Sequence, residues 1–144
     1  MGSSKGGGMM NWMDMTLRDF QASLASSSPT PGGGTAAAIA LGQAAALTCM
    51  VADLTIDKEK WQDGWQIAQD AQNVAVPIMS RAGELATEDS DSFDAVMACF
   101  KMPKETDEEK EVRRNCIRQS TLKAAEVPFE TATLGLSLLR HLPD

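Results

Sequence analysis

The residues of this chain best suited to chemistry lie in two well separated stretches. The first is Pro29-Thr30-Pro31-Gly32-Gly33-Gly34-Thr35. Its two prolines fix φ and disfavour helix just before them, and the glycines admit backbone approaches that a side chain would block. Thr35 is then placed to cap a helix that begins at once. Unpaired amides at such a start, with the positive end of the helix dipole, suit a carboxylate or a phosphate. A tight connection between helices accounts for the same residues without a ligand, because the run is neither a P-loop nor a dinucleotide fingerprint. The second stretch surrounds Asp89. At about 100° per helical residue, Ala82, Ala86, Phe93, Val96, Met97 and Phe100 form one apolar stripe; Asp89 falls inside it and Asp91 points nearly the opposite way. A carboxylate on a buried face must be paired, hydrogen-bonded or put to use. Glu84, Glu88, Asp91 and Asp94 read as an ordinary solvated face. Arg113 falls on the inner face of the last helical segment with Val112, Cys116, Ile117, Ser120, Ala124 and Val127. A buried arginine needs an anionic partner, so Asp89 and Arg113 either pair with each other or both face a ligand.

Positioning these groups falls to helices. From Thr16, a capped amphipathic helix presents Leu17, Phe20 and Leu24 at spacings of three and four. Thr35 to about Ile56 is alanine-rich and apolar on every side, which marks a buried or membrane helix. Gln43, Thr48 and Asp53 interrupt it, alanine is only weakly hydrophobic, and no flanking charge asymmetry supports insertion, so a central bundle helix is expected rather than a membrane span. Helical periodicity resumes after Asp63-Gly64 and lasts to Phe100, broken by Pro77; a bend between Val74 and Pro77, or two abutting helices, is expected there. Thr106-Asp107-Glu108-Glu109 is a capped, acidic helix start. The last helix should kink at Pro128. No alternating β-branched run occurs, and the expected fold is an all-α, up-and-down helical bundle of long kinked helices, dimeric because so apolar a central helix asks for more cover than this chain supplies.

Composition narrows the function classes. A formal charge of −7 with pI near 4.7 argues against a nucleic-acid surface, which carries a basic patch. Three cysteines and a single histidine show no metal-ligand spacing. Cys49, Cys99 and Cys116 are expected to be reduced packing residues of a cytoplasmic protein. Residues 1–11 read as a flexible lead, and residues 12–144 as a single helical domain.

The order of these motifs resembles the formiminotransferase-cyclodeaminase C-terminal domain family, which includes stand-alone bacterial methenyltetrahydrofolate cyclohydrolases. The likeness is carried by Ser-Pro-x-Pro-Gly-Gly-Gly-Thr before an alanine-rich helix, Met50-Val51-Ala52-Asp53-Leu54-Thr55 at its end, Asp89-Ser90-Asp91-Ser92-Phe93, Phe100-Lys101-Met102-Pro103-Lys104 and Ala125-Glu126-Val127-Pro128. It implies an all-helical homodimer with a folate site in a cleft near the subunit contact, no metal and no bound cofactor, the tetrahydrofolate derivative being the substrate. Within it Asp89 matches the catalytic aspartate, Pro31, Gly32, Gly33 and Gly34 the proline and glycine turn, Lys101 and Lys104 the Lys-x-Pro-Lys, and Arg113 a customary arginine. Lys101, Lys104 and Arg113 are thereby candidates to bind the substrate's glutamate carboxylates. The implied chemistry is cyclisation of formiminotetrahydrofolate with loss of ammonia, or hydrolysis of methenyltetrahydrofolate. Two departures accompany the resemblance: Pro77 stands in an expected helix, and the family's domain continues through further helices, so a shortened bundle is expected to expose apolar surface or lack part of the site. The competing reading is a non-catalytic bundle for oligomerisation or interaction, with Asp89 and Arg113 as a structural ion pair.

Overall fold

A computed structural model describes residues 11–142, and the expected lead therefore lies, apart from Asn11, outside the described residues. Four α-helices follow a short 3-10 turn: α1 (Leu17–Leu24), α2 (Gly33–Thr55), α3 (Trp65–Phe100) and α4 (Asp107–Arg140), with a second 3-10 segment, Glu59–Gly64, before α3. No strand occurs among the described residues, as the periodicity predicts.

Local signals set the helix starts. Thr16 accepts from the Asp19 amide at 3.1 Å and caps α1. At α4 the Thr106 hydroxyl accepts from the Glu109 amide at 3.1 Å while the Glu109 carboxylate accepts from the Thr106 amide at 3.2 Å, a complete capping box. One expected cap differs. α2 begins two residues early, with Gly32 as its extended N-cap, so Thr35 lies within the first turn and its side chain is released from capping. None of the described glycines has positive φ. The Thr30–Pro31 peptide is cis, and Pro31 is buried.

The three long helices run antiparallel to their neighbours. Thr35 near the start of α2 meets Asp89 late in α3, whereas Asp53 near the end of α2 accepts from Gln72 near the start of α3 at 2.6 Å. α4 returns along α3, so that Cys116 lies beside Cys99 and Glu130 beside Arg81. Pro77 and Pro128 divide neither helix: α3 and α4 each continue through their proline, correcting the option of two abutting helices. Both prolines are exposed. Each removes one amide donor from the ladder, on a side where water replaces it.

Burial follows small residues at helical spacing. Thr35, Ala38, Leu41, Ala45, Thr48 and Ala52 form the buried face of α2, opposite Ala71, Ala75, Ile78, Ala82, Leu85 and Ala86 of α3. Alanine against alanine lets two helix axes approach closely, and a Cβ added at Gly42 would meet the Ala82 Cβ at 3.2 Å. One end of the core gathers Trp12, Phe20, Ala38, Leu85, Ala86 and Val127. The other gathers Leu41, Ala45, Ala75, Ile78, Ala82 and Leu138. Leu85 has no solvent exposure, and truncating such a leucine to alanine costs about 2–5 kcal/mol.

Two expectations about the buried faces are corrected. α2 buries one face only: Leu47, Met50, Val51 and Leu54 remain more than half exposed. On α3 the stripe holds through Ala82 and Ala86, but Phe93, Met97 and Phe100 are 42%, 36% and 49% exposed. By length and composition α2 could span a bilayer. Its small-residue face instead packs on α3, as in the core helix of a bundle.

The cysteines also depart from expectation. Cys99 and Cys116 form a disulfide, with Cα atoms 5.6 Å apart, that links the end of α3 to α4; Cys49 is free. Their pairing depends on the α3–α4 reversal, which sequence spacing alone does not reveal.

Candidate functional site

Asp89 and the glycine turn are brought together. A cavity of about 220 Å³ lies between the start of α2 and the outer half of α3, lined by Pro29, Thr30, Gly32, Gly33, Gly34, Asp89, Phe93 and Ala124. Gly34 is the residue that permits this arrangement: a Cβ built there would overlap the Asp89 carboxylate, whereas one at Gly33 would meet nothing. The glycines thus serve close approach rather than an unusual backbone angle. Pro31 stands behind the turn and is buried without lining the cavity.

Asp89 is half-buried, and Asp91, two residues on, is exposed, as the wheel predicts. The Thr35 hydroxyl donates to Asp89 Oδ2 at 3.1 Å and lies 2.9 Å from the Ser90 hydroxyl. The Trp12 indole N–H donates to Ser90 Oγ at 2.9 Å. Trp12 is held by packing, its ring edge-on to Phe20 with centroids 6.1 Å apart. Gly32 supplies no side-chain cap to α2, whose first main-chain bond runs from the Ala36 amide to the Gly32 carbonyl at 3.0 Å. The amides of the preceding turn lie beyond the helix's own acceptors and are suited to an anion.

Arg113 is not Asp89's partner. It is half-buried, its Nε and Nη2 donate to the Phe100 carbonyl at 3.3 and 3.2 Å, and its guanidinium lies 5.5 Å from the Phe100 ring centroid. Of the two alternatives for Asp89 and Arg113, direct pairing is therefore not the one observed: α4 starts beyond the end of α3, and Arg113 donates to the carbonyl at that end. A cation beside the last carbonyls of a helix is favourable on dipole grounds. Lys101 and Lys104 are exposed in the α3–α4 connection. Lys101 is separated from Asp89 by roughly 18 Å of helix, so the basic residues gather at one end of α3 and Asp89 stands well below them. Phe93, Met97 and Phe100 form the apolar surface between the two groups.

The arginine that binds carboxylates is Arg81, which sequence reasoning missed. Its Nε and Nη2 donate to Glu130 at 2.8 and 2.9 Å, its Nη1 and Nη2 to Glu88 at 2.7 and 3.0 Å, and its Nη1 to Glu84 at 2.9 Å. Hydrogen bonding to Glu130, then to Glu88 and Glu84, raises the Arg81 pKa, and the same bond to Arg81 lowers that of Glu130. Glu84 and Glu88 are thus held rather than merely solvated. Their spacing from Arg81 was visible in sequence; Glu130, on another helix, was not. Ser90 and Trp12 were also missed, and Thr35 was read as a cap rather than as a donor to Asp89, although two hydroxyls among alanines and beside Asp89 were a readable signal. A larger opening of about 660 Å³, bordered by Met13, Met79, Glu84, Glu88 and Asp91, lies off this site and includes neither Asp89 nor the glycine turn. Among the described residues no three His, Cys, Asp or Glu side chains gather as a metal site.

Comparison with known proteins identifies the family. The formiminotransferase-cyclodeaminase family model matches residues 16–144. A methenyltetrahydrofolate cyclohydrolase of Methylorubrum extorquens is 39% identical over 114 residues, covering 79% of this chain and 55% of the relative. The formimidoyltransferase-cyclodeaminase of Gallus gallus is 35% identical over 119 residues, 81% of this chain and 21% of the relative. That of Rattus norvegicus is 30% identical over 124 residues, 83% of this chain and 22% of the relative. The chain therefore spans about half the length of the bacterial relative and about a fifth of the vertebrate ones. On the family match, over a helical bundle that joins the glycine turn to Asp89, this chain belongs to the formiminotransferase-cyclodeaminase family.

Proposed function

We propose that the chain carries the folate-handling site of a one-carbon enzyme, acting on formiminotetrahydrofolate with release of ammonia or on methenyltetrahydrofolate with addition of water. The observation that supports this most directly is the Asp89 carboxylate on the wall of the glycine-turn cavity, in a chain of this family. In the first reaction N10 attacks the formimino carbon, the carbon–nitrogen bond to the leaving group breaks, and that nitrogen must gain protons to depart as ammonia. In the second, water adds to the carbon between two nitrogens and loses a proton as the five-membered ring opens. Both need a group that moves a proton at that carbon, and a positioned carboxylate contributes about 10²- to 10⁴-fold. Folate is the substrate in this reading, and the proton transfers fall to protein side chains.

The arrangement also orients a long substrate. A cavity of about 220 Å³ takes the ring end beside Asp89, and the exposed stripe of Phe93, Met97 and Phe100 offers an apolar track toward Lys101, Lys104 and Arg113. Those cations suit the glutamate carboxylates. The first-turn amides at Gly33 and Gly34 are hydrogen-bond donors for the ring end. The chain acts as a homodimer in this proposal, with the exposed face of α2 at the contact. A cytoplasmic location belongs to the same proposal and rests on the folate chemistry, since the Cys99–Cys116 bond removes the argument from reduced thiols.

The test is turnover of methenyl- and formiminotetrahydrofolate by the chain and by Asp89→Asn. Asp89→Asn should lose at least tenfold in kcat with folate binding largely kept; Asp91→Asn should not. Equal turnover by all three would remove Asp89 from the reaction. Failure of every reduced folate to bind or raise the melting temperature would leave the non-catalytic bundle as the better reading.

A further inference from the structure

The buried hydroxyls beside Asp89 can be assigned donors in one way once Asp89 is a carboxylate. An indole N–H only donates, so Trp12 gives its proton to Ser90 Oγ. A carboxylate only accepts, so Thr35 gives its single proton to Asp89 Oδ2. Thr35 has no second proton. Its 2.9 Å contact with Ser90 is therefore the Ser90 hydroxyl donating to Thr35 Oγ1. Trp12, Ser90 and Thr35 form a one-way series of donors that starts on a buried indole and ends on Asp89. Thr35, Ser90 and Trp12 are 0%, 4% and 8% exposed, which keeps water from substituting along the series. Each bond in such a series polarises the next. The three residues come from the leading 3-10 turn, α3 and α2, so the series also ties the N-terminal segment to the cavity wall.

Resting on the reading of Asp89 as the proton-handling group, we propose that Thr35 and Ser90, anchored by Trp12, are positioning residues for its carboxylate. They hold Oδ2 and leave Oδ1, which accepts no hydrogen bond among the described residues, for the reacting folate. Gly34 completes the arrangement by leaving room for the held carboxylate. A threonine here, rather than the valine that would fill the same volume, supplies the proton that fixes the acceptor.

The test pairs a spectroscopic readout with a kinetic one on the full chain. Trp12, Trp61 and Trp65 are the three tryptophans, so three indole signals are expected in a ¹H–¹⁵N correlation spectrum, Trp12 being identified by its loss in Trp12→Phe. Thr35→Val should move the Trp12 signal and leave the other two; Asp91→Asn should move none. In turnover, Thr35→Val should lower kcat about tenfold with KM little changed, and Thr35→Ser, which keeps the hydroxyl, should restore most of it. A folded Thr35→Val with an unmoved Trp12 signal overturns the proposal, as does a kcat loss shared equally by Thr35→Ser. Should Thr35→Val fail to fold, Trp12→Phe keeps the ring on Phe20 and removes only the anchoring donor. It is expected to lower kcat by about threefold, and parental kcat overturns the proposal. The two readings fail separately. A responsive indole in a chain inactive toward folates supports the holding of Asp89 and overturns the folate reading, whereas full kcat in Thr35→Val overturns the positioning role alone.

Discussion

Gly33 and Gly34 are neighbours in one glycine run, yet replacing each by alanine should have opposite effects. Both lie in the first turn of α2 with ordinary helical backbone. At Gly33 the new methyl group meets nothing within 4 Å, so the change removes unfolded-state freedom and improves helix propensity, a gain of up to about 1 kcal/mol. At Gly34 it would occupy the space of the Asp89 carboxylate. Asp89 is a short side chain and must rotate away, which breaks its bond from Thr35. A hydrogen bond to a charged group is worth about 1.5–3 kcal/mol, and water recovers part of that at a half-buried carboxylate. With the same propensity gain subtracted, Gly34→Ala should be destabilising by up to about 2 kcal/mol relative to the parent. At 2–8 °C per kcal/mol for domains of this size range, its melting temperature should fall by several degrees while that of Gly33→Ala holds or rises. Differential scanning calorimetry of the three proteins measures this directly. Turnover adds a second readout at Gly34, because a displaced Asp89 should cost at least tenfold in kcat. Equal melting temperatures for the two variants, with parental turnover in Gly34→Ala, would refute the role of Gly34 as the space that Asp89 occupies.

The Arg81 cluster makes stability depend on acid. Because Arg81 lowers the Glu130 pKa in the folded state, the pair's contribution is fully present above the ordinary carboxylate range and is lost as pH falls through the folded value. Exposure of 31% and 42% for the two side chains limits the pair to about 1 kcal/mol, and Arg81→Met should flatten the acid limb of a urea-denaturation series by that amount; an unchanged limb would deny the linkage. Reduction of the Cys99–Cys116 bond reopens a loop whose ends are 17 residues apart, for which loop-closure entropy gives about 3 kcal/mol, so dithiothreitol should lower the melting temperature and Cys99→Ser should remove that response. Light scattering should return a dimeric mass for the parent, and Leu47→Glu with Val51→Glu on the exposed face of α2 should return a monomeric one; a parent that is monomeric across micromolar concentrations contradicts the proposed contact.

Much of this molecule was legible because it depends on neighbours in sequence. Thr16 and Thr106 cap helices through residues three positions on, the apolar periods of α1 to α4 are helical, and the combination of glycine turn, Asp89 motif and Lys-x-Pro-Lys indicates the family that the comparison shows. Asp89 stood out as a carboxylate among apolar neighbours, and Asp91 as its exposed counterpart, since the 100° step is a property of the helix itself.

What only the tertiary structure decided depends on which helices meet and where each ends. Arg113 looked buried with Asp89, but α4 starts beyond the end of α3 and brings it to the Phe100 carbonyl instead. Arg81, unremarkable on its own helix, receives Glu130 from a residue 49 positions away. Cys99 and Cys116 become a pair only when the chain reverses between α3 and α4. Phe93, Met97 and Phe100 have the period of a buried stripe, yet periodicity states which residues share a face and not whether anything covers it. Thr35 was readable as a cap; with α2 beginning at Gly33, its hydroxyl was freed to join Ser90 and Asp89 across two helices. Local interactions choose helices and their starts within a few residues of sequence, whereas the partners of a charge or a hydroxyl are chosen by the antiparallel packing of α2, α3 and α4, which brings distant residues to within hydrogen-bond reach.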